Sequence, residues 1–334
     1  MQHRQPPQAL PLQADAEGQW VRRWTSDDWF GKADSWVRNR LASAGIVVTG
    51  EPVPYRIRFW AAVWCYPTDH GLFWFKENNP GQAFEAALVA AMAEALPQHV
   101  VAPLAIDAGP GWLLTADQGP VLADQEEADW TRLVLEYADF QRDTVPHRNT
   151  LLAAGLTSLE PANLSAALNT VADWFDSLPA DHPVRPDAAT RAGVRRAVET
   201  TAEVEKLLPG VVPMALDQND LHARNVLRPD PDGPFRFFDF GDAVWGHPFA
   251  TLASVREDVD EQVVTAYLEK WSDLAPLDVL RRELEIAEPL HTVHRMVSWH
   301  RLLAHADDIE CATWADSVEH WLRKLLQAYG SISA

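Results

Sequence analysis

The sequence predicts an α+β protein of two lobes, a small N-terminal lobe with an antiparallel sheet and a larger, mainly helical C-terminal lobe. Three observations carry this reading. Short apolar, aromatic runs at 59–66, 71–76 and 112–115, bounded by turn residues, read as strands and fall in the first third of the chain. The stretches 124–208 and 251–329 are helical in pattern, interrupted chiefly at prolines. Between them lies one hairpin-like unit, 216–243, rich in acids, proline and aromatic residues. A few-stranded sheet followed by helices is the order that such a pair of lobes produces. We divide the chain into a flexible tail at 1–20, an N-terminal lobe at 21–118 and a C-terminal lobe at 119–334.

Local chemistry justifies the elements in turn. The first twenty residues hold prolines, glutamines and acids with no hydrophobic secretory core, and read as a tail. Ser26 with Asp27 and Asp28 then opens a helix whose Trp29, Ala33, Trp36, Val37 and Leu41 form one apolar stripe, ending near Gly45. The run FWAAVWCY at 59–66, a turn at Pro67, Thr68, Asp69 and His70, and GLFWFK at 71–76 make a hairpin that ends in Lys76. Asn78, Asn79, Pro80 and Gly81 break the chain before an alanine-rich helix over 82–96, which Pro97 stops. Glu85 falls in its first turn, where the helix N-terminus favours an anion. Breaks near Pro146, Pro161, Pro179, Pro183 and Pro186 divide the first helical stretch, and breaks near Pro276 and Pro289 divide the second.

Composition narrows the class of function. With 334 residues, each lobe can bury its own core. Apolar stretches stop short of the roughly 20 residues that a membrane span needs, so no membrane partner is expected. Cys65 and Cys311 are the only cysteines, too few for a disulfide framework or a zinc site, which suits the cytoplasm. Lysine and arginine number 28 against 48 acids, a net charge of −20 that argues against nucleic acid as a partner. Such a balance favours cationic small molecules, although acidic runs such as Glu257, Asp258, Asp260 and Glu261 read first as a solvated helix face.

The chemistry is concentrated in LDQNDLHARNVLRPDPDGPFRFFDFGDA, 216–243. Residues 225–227 and 235–240 read as two short strands joined by a turn through Pro229, Pro231, Gly233 and Pro234. Asn225 opens the first strand and Asp239 closes the second, so a carboxamide and a carboxylate can clamp one hard, oxygen-seeking cation. Asp220, five residues before Asn225, lies in the loop entering the hairpin, where it can orient a substrate hydroxyl.

This stretch resembles the catalytic segment of the aminoglycoside phosphotransferase family, small-molecule kinases of the protein-kinase-like fold. That family reads His-Gly-Asp, four residues, then Asn; here Gln218, Asn219 and Asp220 precede Asn225 in the same register, with glutamine in place of the supporting histidine. Asp239, Phe240 and Gly241 stand fourteen residues after Asn225, where kinases place their metal-binding Asp-Phe-Gly. The resemblance implies a phosphotransferase using ATP and Mg2+, with GTP left open as the nucleotide. Asp220 would orient the acceptor hydroxyl, Asn225 and Asp239 would hold the metal, and Lys76, paired with Glu85, would steady the α and β phosphates. Ala116, Asp117 and Gln118 would offer main-chain contacts to the base.

The segment 54–59 lacks the glycine-rich loop of protein kinases, so Arg56 or Arg58 is expected to approach the phosphates. Asp242 is expected to assist nearby or to cap the following turn. The acceptor is expected between the catalytic loop and the last helices, with Trp299 and Glu288 as possible contacts. His291 and His294 share a helix face, but His300 lies nine residues past His291, about half a turn around the helix, so the three are expected to be packed or pocket-lining rather than zinc ligands. The glutamine at 218 and the missing glycine loop leave one rival reading, a catalytically silent nucleotide-binding module.

Overall fold

A computed structural model describes residues 10–11, 17–124, 129–208, 210–228, 230 and 233–330. Most of the predicted tail at 1–20 lies outside the described residues, but Gln19 and Trp20 open a helix, α1 (Gln19–Trp24). Helix α2 (Asp27–Ser43) starts where expected, with the Ser26 hydroxyl accepting from the Trp29 amide. Trp29, Ala33, Val37 and Leu41 bury its apolar face. Strands β1 (Val53–Arg58), β2 (Ala61–Thr68) and β3 (Gly71–Asn78), helix α3 (Glu85–Ala95), and strands β4 (Pro103–Asp107) and β5 (Trp112–Ala116) complete this lobe.

The five strands form one antiparallel sheet in the order β1-β2-β3-β5-β4. The hairpin between β2 and β3 is tighter than its sequence suggested, with Thr68 paired to Gly71 and Pro67 inside the strand. Gly71 adopts φ +101°, which a residue without Cβ takes at little cost. Alternation along β3 sends Phe73, Phe75 and Glu77 to one face and Lys76 to the other. The first face packs beneath α1 and α2, with Trp24, Trp29, Val37, Leu41, Tyr66 and Phe75 in a common core.

The second lobe is mainly helical. It contains α4 (Trp130–Thr144), α5 (Arg148–Ala153), β6 (Thr157–Ser158), α6 (Pro161–Ser177) and α7 (Ala188–Leu207). Four short strands follow: β7 (Ala215–Asp217), β8 (Val226–Leu227), β9 (Arg236–Phe237) and β10 (Val244–Gly246). The chain then runs through α8 (Leu252–Val255), α9 (Glu261–Glu269), α10 (Leu277–Ala287), α11 (Leu290–Leu303), α12 (Asp308–Thr313) and α13 (Ala315–Gly330). Strands β8 and β9 pair antiparallel, as the hairpin reading required. The second arm is shorter than predicted, because Asp239 turns to φ +60° and takes the chain out of the ladder. Strand β10 then lies between β6 and β7. A continuous core joins α4, α6, α7, α11 and α13 to the inner side of α3.

Two sets of contacts tie the lobes together away from the sheet edges. The α1 amides of Gln19 and Trp20 donate to Asp307 Oδ2 at 2.8 Å and Glu310 Oε1 at 2.7 Å, the same two carboxylates that form the capping box of α12. At its other end α1 reaches the sheet, where the Trp24 indole donates to Glu77 at 3.1 Å. The inner face of the small lobe is joined through α3, whose Glu85 Oε1 accepts from the Phe240 amide at 2.9 Å.

Candidate active site

The five side chains Lys76, Glu85, Asp239, Asp220 and Asn225 fall into two groups, joined where the Phe238 amide meets the Asn225 carbonyl and where Asp239 feels the charge of Asp220. Lys76 Nζ lies 2.6 Å from Glu85 Oε2 and 2.6 Å from Asp239 Oδ1, so one ammonium links β3, α3 and the loop after β9. Glu85 is buried and well satisfied: besides Lys76 it accepts from Asn78 Nδ2 and from the Phe240 amide. Arg56 approaches Asp239 Oδ2 at 3.9 Å, while Arg58 is buried and donates to the Ile57 carbonyl at 2.7 Å. Of the two candidate arginines, Arg56 therefore faces the site.

The loop at 217–225 forms the opposite wall. Asn225 donates through Nδ2 to the Asp220 carbonyl at 3.0 Å, which turns its amide oxygen away from that bond. The Phe238 amide donates to the Asn225 carbonyl at 3.2 Å, fixing the two arms of the hairpin to each other. Asn219 sits at φ +64°, where the resembling family has glycine; asparagine is among the few other residues that tolerate this region. Its side chain also works, donating to the Asp242 carbonyl at 3.1 Å.

Gln218 answers the question raised by its sequence. Its side-chain nitrogen donates to the Phe238 carbonyl and contacts the Asp239 carbonyl at 3.5 Å, and its amide meets the Tyr137 hydroxyl at 2.8 Å. Glutamine thus braces the loop bearing Asp239 from behind. Asp217, one residue earlier, accepts from the Asn219 amide at 2.9 Å and pairs with His294 Nδ1 at 3.0 Å.

The electrostatics follow from these partners. Burial alone would depress the Lys76 ammonium, but Asp239 and Glu85 outweigh it and hold its pKa above the ordinary value. Burial pushes the Asp239 carboxyl up, and Lys76 and Arg56 more than offset this, leaving it below its usual range. Asp220 is likewise opposed by burial, and Arg295 and His222 bring it down to about 2. Lys76 is therefore a cation and Asp220 and Asp239 are anions near neutral pH. Hard oxygen donors from Asn225 and Asp239 suit Mg2+ in type, and among the described residues no set of three His, Cys, Asp or Glu side chains offers an alternative metal cluster.

The remaining expected residues fall as follows. The Asp117 carboxylate accepts from the Trp74 indole at 2.8 Å, and its amide donates to the Leu72 carbonyl at 2.9 Å, extending the sheet. Gln118 accepts from Arg236 at 3.3 Å. Both lie where the lobes join, with the Asp117 N–H already spent. Trp299 is buried in the core, and Glu288 pairs with Arg256 at 3.6 Å. His291 packs its ring edge against Trp321, His294 is taken by Asp217, and His300 lies beside Trp174.

The sequence pointed to the last helices and to His294, but not to Arg295, Ser298 and Arg301 as parts of the site. Helix α11 contributes His294, Arg295, Ser298 and Arg301, which hold Asp217, Asn219, Asp220, Asp242 and the carbonyls of 241–243. The signal was present as polar residues at 294, 298 and 301, which share one helix face. Asp242 is a junction: Ser298 and Gln82 Nε2 both donate to its Oδ1, the latter from the small lobe at 3.0 Å.

No family model and no curated protein matches the chain by sequence. Solved structures share its fold. The ethanolamine kinase of Plasmodium vivax superposes with a TM-score of 0.62 at 9% identity, over 88% of this chain and 88% of that one. APH(2")-IIia, solved with GDP and kanamycin, gives 0.57 at 15% identity over 90% and 99%. The macrolide 2'-phosphotransferase MphH of Brachybacterium faecium gives 0.53 at 15% identity over 80% and 98%. The chain thus has the bilobal α+β fold of small-molecule phosphotransferases, across nearly the whole length of those proteins.

Proposed function

We propose that the protein is a phosphotransferase that moves the γ-phosphate of ATP, with Mg2+, to a hydroxyl group of a small molecule. The observation that carries this is the convergence of Lys76, Glu85 and Asp239 on one side with Asp220 and Asn225 on the other, drawn from separate parts of the chain. Lys76 stays charged and anchored to Glu85, ready to meet the nucleotide phosphates. Asn225 and Asp239 would hold Mg2+, which when bound supplies neutralisation of phosphate charge. Asp220 is ionised and accepts the hydrogen bond of the attacking hydroxyl, orienting it. The bracing of Asp239 by Gln218 supports an active site over a silent nucleotide-binding module.

Charge at the centre also bears on the acceptor. Four carboxylates, Glu85, Asp220, Asp239 and Asp242, face four cations, Arg56, Lys76, Arg295 and Arg301. The −20 of the whole chain is therefore not concentrated where transfer occurs. An amino sugar or aminoglycoside remains the class to test first, given the kanamycin named with one fold relative, and its amines would be read outside this cluster.

Nucleotide consumption by the purified full chain, with ATP and then GTP, against amino sugars, aminoglycosides, macrolides and amino alcohols is the deciding measurement. Turnover that disappears in Asp239→Asn and Asp220→Ala, with both variants folded, is the expected result. Binding of magnesium nucleotide without turnover on any acceptor, and no effect of Asp220→Ala, would establish the silent module instead.

A further inference from the structure

Arg295 is a buried cation in the middle of α11 with three acceptors on one nitrogen. Its Nη1 lies 2.8 Å from the Asn219 carbonyl, 3.1 Å from Asp220 Oδ1 and 3.4 Å from Asp242 Oδ2. The guanidinium carbon lies 5.0 Å from the centre of the Trp321 ring, which supports the group from α13. We propose, on the basis of the phosphotransferase reading above, that Arg295 is the positioning residue of the transfer step. It ties the Asp220 carboxylate to the loop after Asp239, so that the attacking hydroxyl and the phosphate-binding side are held in one frame.

The geometry distinguishes the two oxygens of Asp220. Oδ1 is taken by Arg295, whereas Oδ2 has only longer contacts, 3.4 Å to Asn225 Nδ2 and 3.4 Å to His222 Nε2. Oδ2 is thus the oxygen left to accept from an incoming hydroxyl. Half of this clamp is mechanical: Asn219 is in the left-handed region, and Arg295 holds its carbonyl there. The other half reaches across the cleft, because Asp242 also accepts from Gln82 of the small lobe. Lysine cannot reproduce the arrangement: its shorter side chain stops short of the point where Nη1 meets its three acceptors, and its ammonium lacks the flat face that lies over the Trp321 indole.

The test uses the full chain with magnesium nucleotide and water as the acceptor, measuring release of nucleoside diphosphate. Arg295→Ala is expected to lower kcat about 10- to 100-fold, the scale of a small displacement of an orienting group, while nucleotide KM changes by less than about threefold. Added guanidinium ion, below denaturing concentration, should restore part of the rate in Arg295→Ala and none in Lys76→Ala. Arg295→Lys, which keeps the charge, should stay folded and remain slow. An Arg295→Ala or Arg295→Lys rate within about twofold of wild type overturns the proposal, as does a loss expressed wholly in KM without guanidinium rescue. A wild-type chain that is silent with water and with every acceptor of the panel overturns the phosphotransferase reading, and the role of Arg295 falls with it; a wild-type rate untouched by Arg295→Ala removes only that role.

Discussion

Lys76→Met isolates the ion pair on which both lobes converge. The substitution keeps the stem that packs on the sheet and removes an ammonium 2.6 Å from each of two carboxylates. Glu85 is nearly inaccessible, with 3% of its side chain exposed, so it would be left as a buried anion with only the Asn78 amide and the Phe240 N–H as donors. Breaking such a buried pair from one side costs about 3–5 kcal/mol. Asp239 is 30% exposed and retains Arg56 nearby, so water and that arginine absorb most of its share. The expected loss is therefore about 3 kcal/mol, almost all of it from Glu85. Adding Glu85→Gln removes the stranded charge while keeping an acceptor for Phe240. Urea unfolding of wild type, both single variants and the double variant should give a coupling of about 2 kcal/mol, with the double variant more stable than Lys76→Met. If the single effects add to within about 0.5 kcal/mol, the two groups are independent and the reasoning fails.

The other predictions concern the fold, pH and the loop. Glu77 accepts from the indoles of Trp24, Trp29 and Trp112 and from Arg23, so Glu77→Ala orphans three indole N–H groups and should cost about 3–6 kcal/mol; a urea midpoint equal to that of wild type would contradict this. His291 is held neutral by burial, its pKa pushed down to about 3 from 6.5. The unfolded chain then binds more protons between those values, so stability is lost as pH falls below 6.5, by about 2 kcal/mol at pH 5. His291→Phe should remove that part of the loss in unfolding measurements at pH 7 and pH 5, while Asp217, whose pKa is lowered from 3.8, acts only in stronger acid. Gln218→Ala should reduce turnover more than Gln218→His, because either nitrogen-bearing side chain can donate to the Phe238 carbonyl; equal rates in the two would show that the brace is unimportant.

Much of this was legible in residues whose role is set by local chemistry. Ser26 before two aspartates gave the start of α2, and the aromatic runs around Asp69 and His70 gave the hairpin ending at Lys76. The distances between Asp220, Asn225 and Asp239 along the chain place all three at one hairpin, because β8 and β9 pair directly, Val226 with Phe237. Arg295 and Asp242 were harder to foresee. Arg295 lies 75 residues from Asp220 in sequence, and only the packing of α11 against β7 and β10 brings it within reach. The strand predicted over 235–240 failed at Asp239 for a related reason: its left-handed backbone is imposed by tertiary contacts from Gln218 and Glu85, which no local propensity reports. The indole-lined carboxylate of Glu77 was hidden because a charged residue in a strand reads as an outward-facing one.

Glu85 and α1 together bear on how the chain can be divided. A fragment ending near residue 118 would keep the five strands, yet Glu85 would lose the backbone amide of Phe240, Lys76 would lose Asp239, and α1 would lose the two acids at 307 and 310. Each of those partners lies far along the chain, so the halves share their stabilising contacts and the small half has no complete set of its own. Nascent protein leaving the ribosome accordingly holds a small lobe whose partners at Asp239, Phe240, Asp307 and Glu310 have yet to emerge.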